Sequence, residues 1–167
     1  MSPLKSLESF FDRILGIFVA LACIILALVM LSVCLEVFLR YFLNRPQVWV
    51  VELSEYALLY ITFLGAAWVL KGDGHVTVDL FTSLMGSKSR AVCSLASFIV
   101  CFMVSIILAV YGIRVTWDHF SQGIYNPTIL EIPKAAILLV IPLGGITLLI
   151  QSIRGALKSL RSIKEGQ

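Results

Sequence analysis

ILGIFVALACIILALVMLSVCL, residues 14 to 35, holds 22 consecutive positions without a charge. At a rise of about 1.5 Å per residue, a helix of that length covers ~33 Å, enough to cross the hydrocarbon of a bilayer. Three further stretches behave alike: Tyr56–Leu70, which extends back to Val48 through two glutamates, Ala91–Ile113, and Ala135–Ile153. Barrel strands would alternate apolar and polar residues over about ten positions, whereas these runs are apolar all round and rich in Leu, Ile, Val and Ala. The reading is an all-α integral membrane protein, a four-helix transmembrane bundle with spans at about 14–39, 47–70, 90–115 and 134–154.

Composition agrees. Of 167 residues, 59% are hydrophobic and 14% charged, with a mean hydropathy of +0.98. Soluble domains run near half apolar and a quarter charged. No repeat or low-complexity linker divides the chain, so residues 1–167 read as one domain.

Basic residues set the orientation. Lys5, Arg13, Lys71, Lys88, Arg90, Arg154, Lys158, Arg161 and Lys164 fall on one side of a four-span arrangement, against Arg40, Arg45, Arg114 and Lys134 on the other. The positive-inside rule therefore predicts both termini in the cytoplasm. Arg154, Lys158, Arg161 and Lys164, three to four residues apart, are expected to face anionic lipid headgroups. The net charge of +3 is then a topology signal and not a nucleic-acid footprint. The cysteines Cys23, Cys34, Cys93 and Cys101 lie inside spans without a Cys-x-x-Cys pattern and read as small packing residues.

Two amphipathic segments flank the spans. Ser2–Arg13 sets Leu4, Leu7, Phe10 and Phe11 opposite Lys5, Glu8 and Asp12, and His75–Met85 sets His75 and Asp79 opposite Val76 and Leu80. Both are expected as short interfacial helices. The segment between spans one and two, Asn44-Arg45-Pro46, is short, so those spans form an antiparallel hairpin. Pro142, with Gly144 and Gly145, predicts a kink in the fourth span.

The densest polar constellation near a span is at the start of the second: Glu52 and Glu55, with Trp49, Tyr56 and Tyr60, and Arg40 across the hairpin. Arg40 and Glu52 are each six residues from Pro46, so they lie at similar depth and can meet. The acids stand roughly 6 to 11 Å from the outer end of the helix. Two readings stay open: a staple within the hairpin, or a contact to a partner subunit. Glu36 and Arg40, one turn apart, can also pair.

Other chemistries lack parts. His75 and Asp79 have the spacing of two metal ligands but no third, and a hydrogen-bonded pair on a cytoplasmic interfacial helix is the reading adopted. The only other histidine, His119, falls on the opposite side of the membrane, which excludes a haem held by paired histidines. No nucleophile triad, phosphate loop or zinc pattern is present, so neither an enzyme nor a cofactor is expected.

One ordered set of residues resembles a known family. Arg40, Tyr41, Phe42 and Asn44, then Trp49, Glu52, Glu55 and Tyr56, then Phe63-Leu64-Gly65-Ala66-Ala67, then His75, Val76, Val78 and Asp79 closely resemble the small, DctQ-like membrane subunit of tripartite ATP-independent periplasmic (TRAP) transporters. Length, four-span topology and the later Pro133 and Pro142 agree with it. The resemblance implies a bacterial inner-membrane complex. In it, a periplasmic solute-binding protein delivers an organic acid of dicarboxylate or sialic-acid type, and a large multi-span carrier imports it with sodium. The small subunit then scaffolds that carrier. Gly65 and its neighbours would give the second span a smooth face, packed either within the bundle or against the partner. The alternatives are a self-contained small four-helix exporter, in which Glu36 would be the only acid available in the first span, and a membrane-anchored interaction module.

Overall fold

The computed structural model describes residues 3–72 and 87–165, with side chains described for 8–72 and 93–160. His75 and Asp79 lie outside the described residues. Among the described residues there are five helices: α1 (Pro3–Leu43), α2 (Val48–Gly72), α3 (Ser87–Ser121), α4 (Lys134–Leu138) and α5 (Val140–Glu165). Four segments are long and apolar enough to cross a membrane: Glu8–Leu43, Val48–Gly72, Cys93–Ser121 and Lys134–Leu160. The protein is an all-α, four-span membrane protein.

The amphipathic segment expected at Ser2–Arg13 is not a separate helix; from Pro3 onward it forms the first turns of α1. Proline is tolerated at a helix's first position, and no second proline interrupts the run, so the helix propagates. Its 41 residues measure about 60 Å, more than a bilayer with its headgroups, so α1 tilts or protrudes. It stops at Asn44, which takes a left-handed φ of 53°, while the Arg45 N–H donates to the Leu39 carbonyl at 3.2 Å. Asparagine accepts that conformation more readily than other non-glycine residues.

The fourth span is interrupted at Leu139, between α4 and α5. Pro142 has no N–H for the carbonyl of Leu138, and its ring crowds that carbonyl, which accounts for a break at this place.

The helices stand in a row. α2 packs between α1 and α5, and α5 between α2 and α3, while α1 and α3 make no extended contact with each other. Ala22 of α1, Leu64 of α2 and Val140 of α5 form a buried cluster, with Phe18, Ile25, Tyr60, Phe63 and Ile141 packed against it. Glycines on α5 allow the close approaches: a Cβ on Gly145 would stand 2.8 Å from the Ala109 backbone nitrogen of α3, and one on Gly144 2.9 Å from the Phe63 carbonyl of α2. Small residues at crossings are what helix association in lipid requires, since apolar burial gains nothing against acyl chains. Of the cysteines expected to pack, Cys101 is half-buried, whereas Cys23, Cys34 and Cys93 are exposed on their helices.

Candidate functional site: a loop held by the second span

Glu52, Tyr56 and Tyr60 are spaced by four and therefore share one face of α2. Glu52 and Tyr56 reach the segment that joins α3 to α4, and Tyr60 reaches α4 itself. The Glu52 carboxylate accepts the backbone N–H of Ile129 on Oε1 at 3.1 Å and that of Leu130 on Oε2 at 3.3 Å. The Tyr56 hydroxyl accepts Asn126 Nδ2 at 2.6 Å and lies 3.3 Å from Thr128 Oγ1. One turn further on, the Tyr60 hydroxyl donates to the Ala136 carbonyl at 2.6 Å.

The segment those contacts hold has its own order. Asn126 N–H donates to the Ile132 carbonyl at 3.0 Å and Lys134 N–H to the Ile124 carbonyl at 3.0 Å, so residues 124–134 close on themselves. Gly123 and Glu131 take left-handed φ values of 61° and 43° at the two bends. Closure turns the N–H groups of Ile129 and Leu130 toward α2, where a carboxylate is the strongest available acceptor. Tyr125 and Ile129 face away from the protein at 60% and 66% exposure. The arrangement presents an ordered, partly apolar loop on the side of the membrane where α1 ends and α2 begins.

Of the two readings left open for this constellation, the Arg40–Glu52 staple is not formed. Arg40 instead binds Glu36, with Nε donating to Oε1 at 2.8 Å and a second nitrogen at 2.6 Å. Glu36 is only 5% exposed, and a partner one turn away on the same helix reaches it without crossing the hairpin. Trp49 donates its indole N–H to Gln47 Oε1 at 3.0 Å, near the start of α2. Glu55 is exposed and forms no hydrogen bond or ion pair among the described residues. Gly65 is half-buried, and a Cβ there would meet nothing within 4 Å.

At the opposite end of the molecule, Asp12 joins three helices. Its Oδ1 accepts Arg154 Nη1 of α5 at 2.8 Å, and its Oδ2 lies 2.9 Å from Lys71 Nζ of α2. The Arg154 guanidinium also stands 5.3 Å from the Phe11 ring centroid. Arg154 is thus engaged inside the bundle and does not simply face headgroups. The pairing spans 142 positions, and no spacing in the sequence announces it. Asp12→Ala is expected to weaken the chain by about 1 kcal/mol, because each side chain is partly exposed. Thermal unfolding of the purified chain in detergent should fall by roughly 3 °C. High salt should narrow that gap. An unchanged midpoint would mean that the cluster carries no stability.

Sequence comparisons now bear on these features. The family model for tripartite ATP-independent periplasmic transporters, DctQ component, matches residues 29–162. Among curated proteins, the chain is 22% identical over 116 residues to the sialic acid TRAP transporter small permease protein of Vibrio cholerae, covering 68% of this chain and 64% of that protein. It is 28% identical over 123 residues to a putative TRAP transporter small permease protein of Haemophilus influenzae, covering 74% and 72%. The match therefore spans slightly under two thirds of the Vibrio cholerae protein's own length. The family match extends over most of the chain, including both the α2 face and the loop it holds. The chain belongs to the DctQ component family of TRAP transporters.

Proposed function

We propose that this DctQ-component chain is the non-catalytic small permease subunit of a TRAP transporter, residing in a bacterial inner membrane with both termini in the cytoplasm. It scaffolds a large multi-span carrier subunit, which imports an organic acid with sodium after a periplasmic solute-binding protein delivers it. The observation that carries the reading is the family match over residues 29–162 on a four-span helical chain. The name of the Vibrio cholerae relative makes a sialic acid the first substrate to try, with dicarboxylates second. The nine-to-four asymmetry of basic residues supports an orientation with the Glu52-held loop on the periplasmic side, where a delivery protein would approach.

In structural terms the subunit serves as a support. The row of helices offers a wide lateral surface to other membrane helices, and large apolar side chains cover most of α1 and α3. One end of the row is tied by Asp12, Lys71 and Arg154, and the other by Glu52 and Tyr56. The test is co-purification. The tagged chain, co-expressed with a large TRAP carrier subunit from the same organism, should bring that carrier through detergent extraction in constant ratio. Failure of the two to co-purify would defeat the proposal.

A further inference from the structure

The surface of α2 carries a strip unlike any other on the molecule. Val51, Glu55, Leu58, Thr62, Gly65 and Val69 follow one another at intervals of four and three, the spacing that runs straight along one helix face. Much of the rest of the helix is occupied: Val50, Ala57 and Leu64 are buried, and Glu52, Tyr56 and Tyr60 hold the loop and α4, while Leu53 and Trp68 stay exposed but carry no charge. The strip itself is open, with Val51 52%, Leu58 58% and Val69 49% exposed.

Three of its features are poorly suited to lipid. Glu55 lies about 10 Å along the helix from Val48 and has no partner among the described residues. A charge facing hydrocarbon costs up to about 3 kcal/mol at mid-depth. Thr62 adds a hydroxyl to the same exposed strip, though its proton goes to the Leu58 carbonyl at 2.8 Å. Gly65 leaves a notch that none of the described residues fills, as Gly16 does on the charge-free α1, whereas Gly144, Gly145 and Gly155 all lie against a neighbouring helix. By contrast, α1 from Ile14 to Leu35 and α3 from Cys93 to Ile113 carry no charge on any face.

We infer that this strip of α2 receives a spanning helix of the large carrier subunit, with a Lys or Arg of that helix opposite Glu55 and a bulky side chain over Gly65. The inference rests on the scaffolding reading and specifies its contact face. Deeper along the strip, from Leu58 to Val69, a partner approaching from the lipid does so most readily as a helix, whose backbone bonds are satisfied within itself. A cation on it meets the unpaired carboxylate. A second copy of this chain fits poorly, because a two-fold contact along the strip brings Glu55 against Glu55 at equal depth.

The test uses the intact complex. Gly65→Leu should leave the thermal midpoint of the chain alone unchanged, since the notch is empty, yet reduce co-purified carrier about tenfold, equivalent to 1.4 kcal/mol. Glu55→Lys should do the same, while Val104→Leu on the outer surface of α3 should not. A photo-reactive residue at Thr62 should cross-link to the carrier. Normal recovery of carrier with both Gly65→Leu and Glu55→Lys would overturn this face and leave the scaffolding reading standing. Cross-links between two copies of this chain would overturn it in favour of self-association. Absence of carrier even with the unaltered chain would remove the scaffolding reading, and this inference with it.

Discussion

Glu52→Ala is expected to release the loop between α3 and α4 and to reduce transport by the assembled complex roughly 100-fold. The carboxylate is the acceptor for two backbone N–H groups, those of Ile129 and Leu130. Hydrogen bonds to a charged group contribute about 1.5 to 3 kcal/mol each, and since both are exposed to solvent here, loss of the two together is worth roughly 2 to 3 kcal/mol of loop order. The remaining ties, Asn126 and Thr128 on Tyr56, are neutral and weaker. Glu52→Gln keeps one carbonyl acceptor and should fall between the two. Protease accessibility at residues 124–134 reads the release directly, and reconstituted uptake reads its consequence. Uptake at the level of the unaltered protein in Glu52→Ala would show that the ordered loop is not needed.

Gly145→Ala should be strongly damaging for the addition of a single methyl group. The added Cβ would stand 2.8 Å from the Ala109 nitrogen and 3.1 Å from its Cα, and both are helix backbone that cannot rotate away. α5 and α3 must then separate along the longest interface in the molecule. Overpacking of this kind costs about 1 to 3 kcal/mol, and in lipid the separated helices also lose the van der Waals contact that holds them. Folded yield from membranes should drop sharply, with a thermal midpoint lower by roughly 5 to 10 °C. Gly16→Ala, at a glycine whose Cβ would meet nothing within 4 Å, is the matched control and should leave both readouts unchanged. Equal behaviour of the two variants would mean that α3 and α5 are not in close contact there.

The spans were legible because their signal is local. A charge-free run long enough to cross hydrocarbon announces itself, and Ile14–Leu35 does so without reference to the rest of the chain. The full extent of α1 was not, because a helix leaving the hydrocarbon regains charges such as Asp12 and Arg40 without losing its backbone bonds. The candidate site was half legible. Glu52 and Tyr56 stand out as polar groups at the start of a span, and their spacing places them on one face. Their partners do not stand out, since Ile129 and Leu130 contribute backbone N–H groups that any residue carries, and Asn126 is 70 positions from Tyr56. Arg40 was drawn toward Glu52 by the symmetry of the hairpin. The competing acid, Glu36, was only four residues away, and proximity along one helix decided the pairing.

The central claim is that this chain supports a carrier and does not itself carry. Uptake of labelled sialic acid into proteoliposomes, with dicarboxylates as the second substrate set, tests it most directly. This chain alone, the large carrier alone, and the two together are each reconstituted with the solute-binding protein and a sodium gradient. Uptake is expected with the pair, and background levels with this chain alone. Uptake by this chain in the absence of the carrier would contradict it.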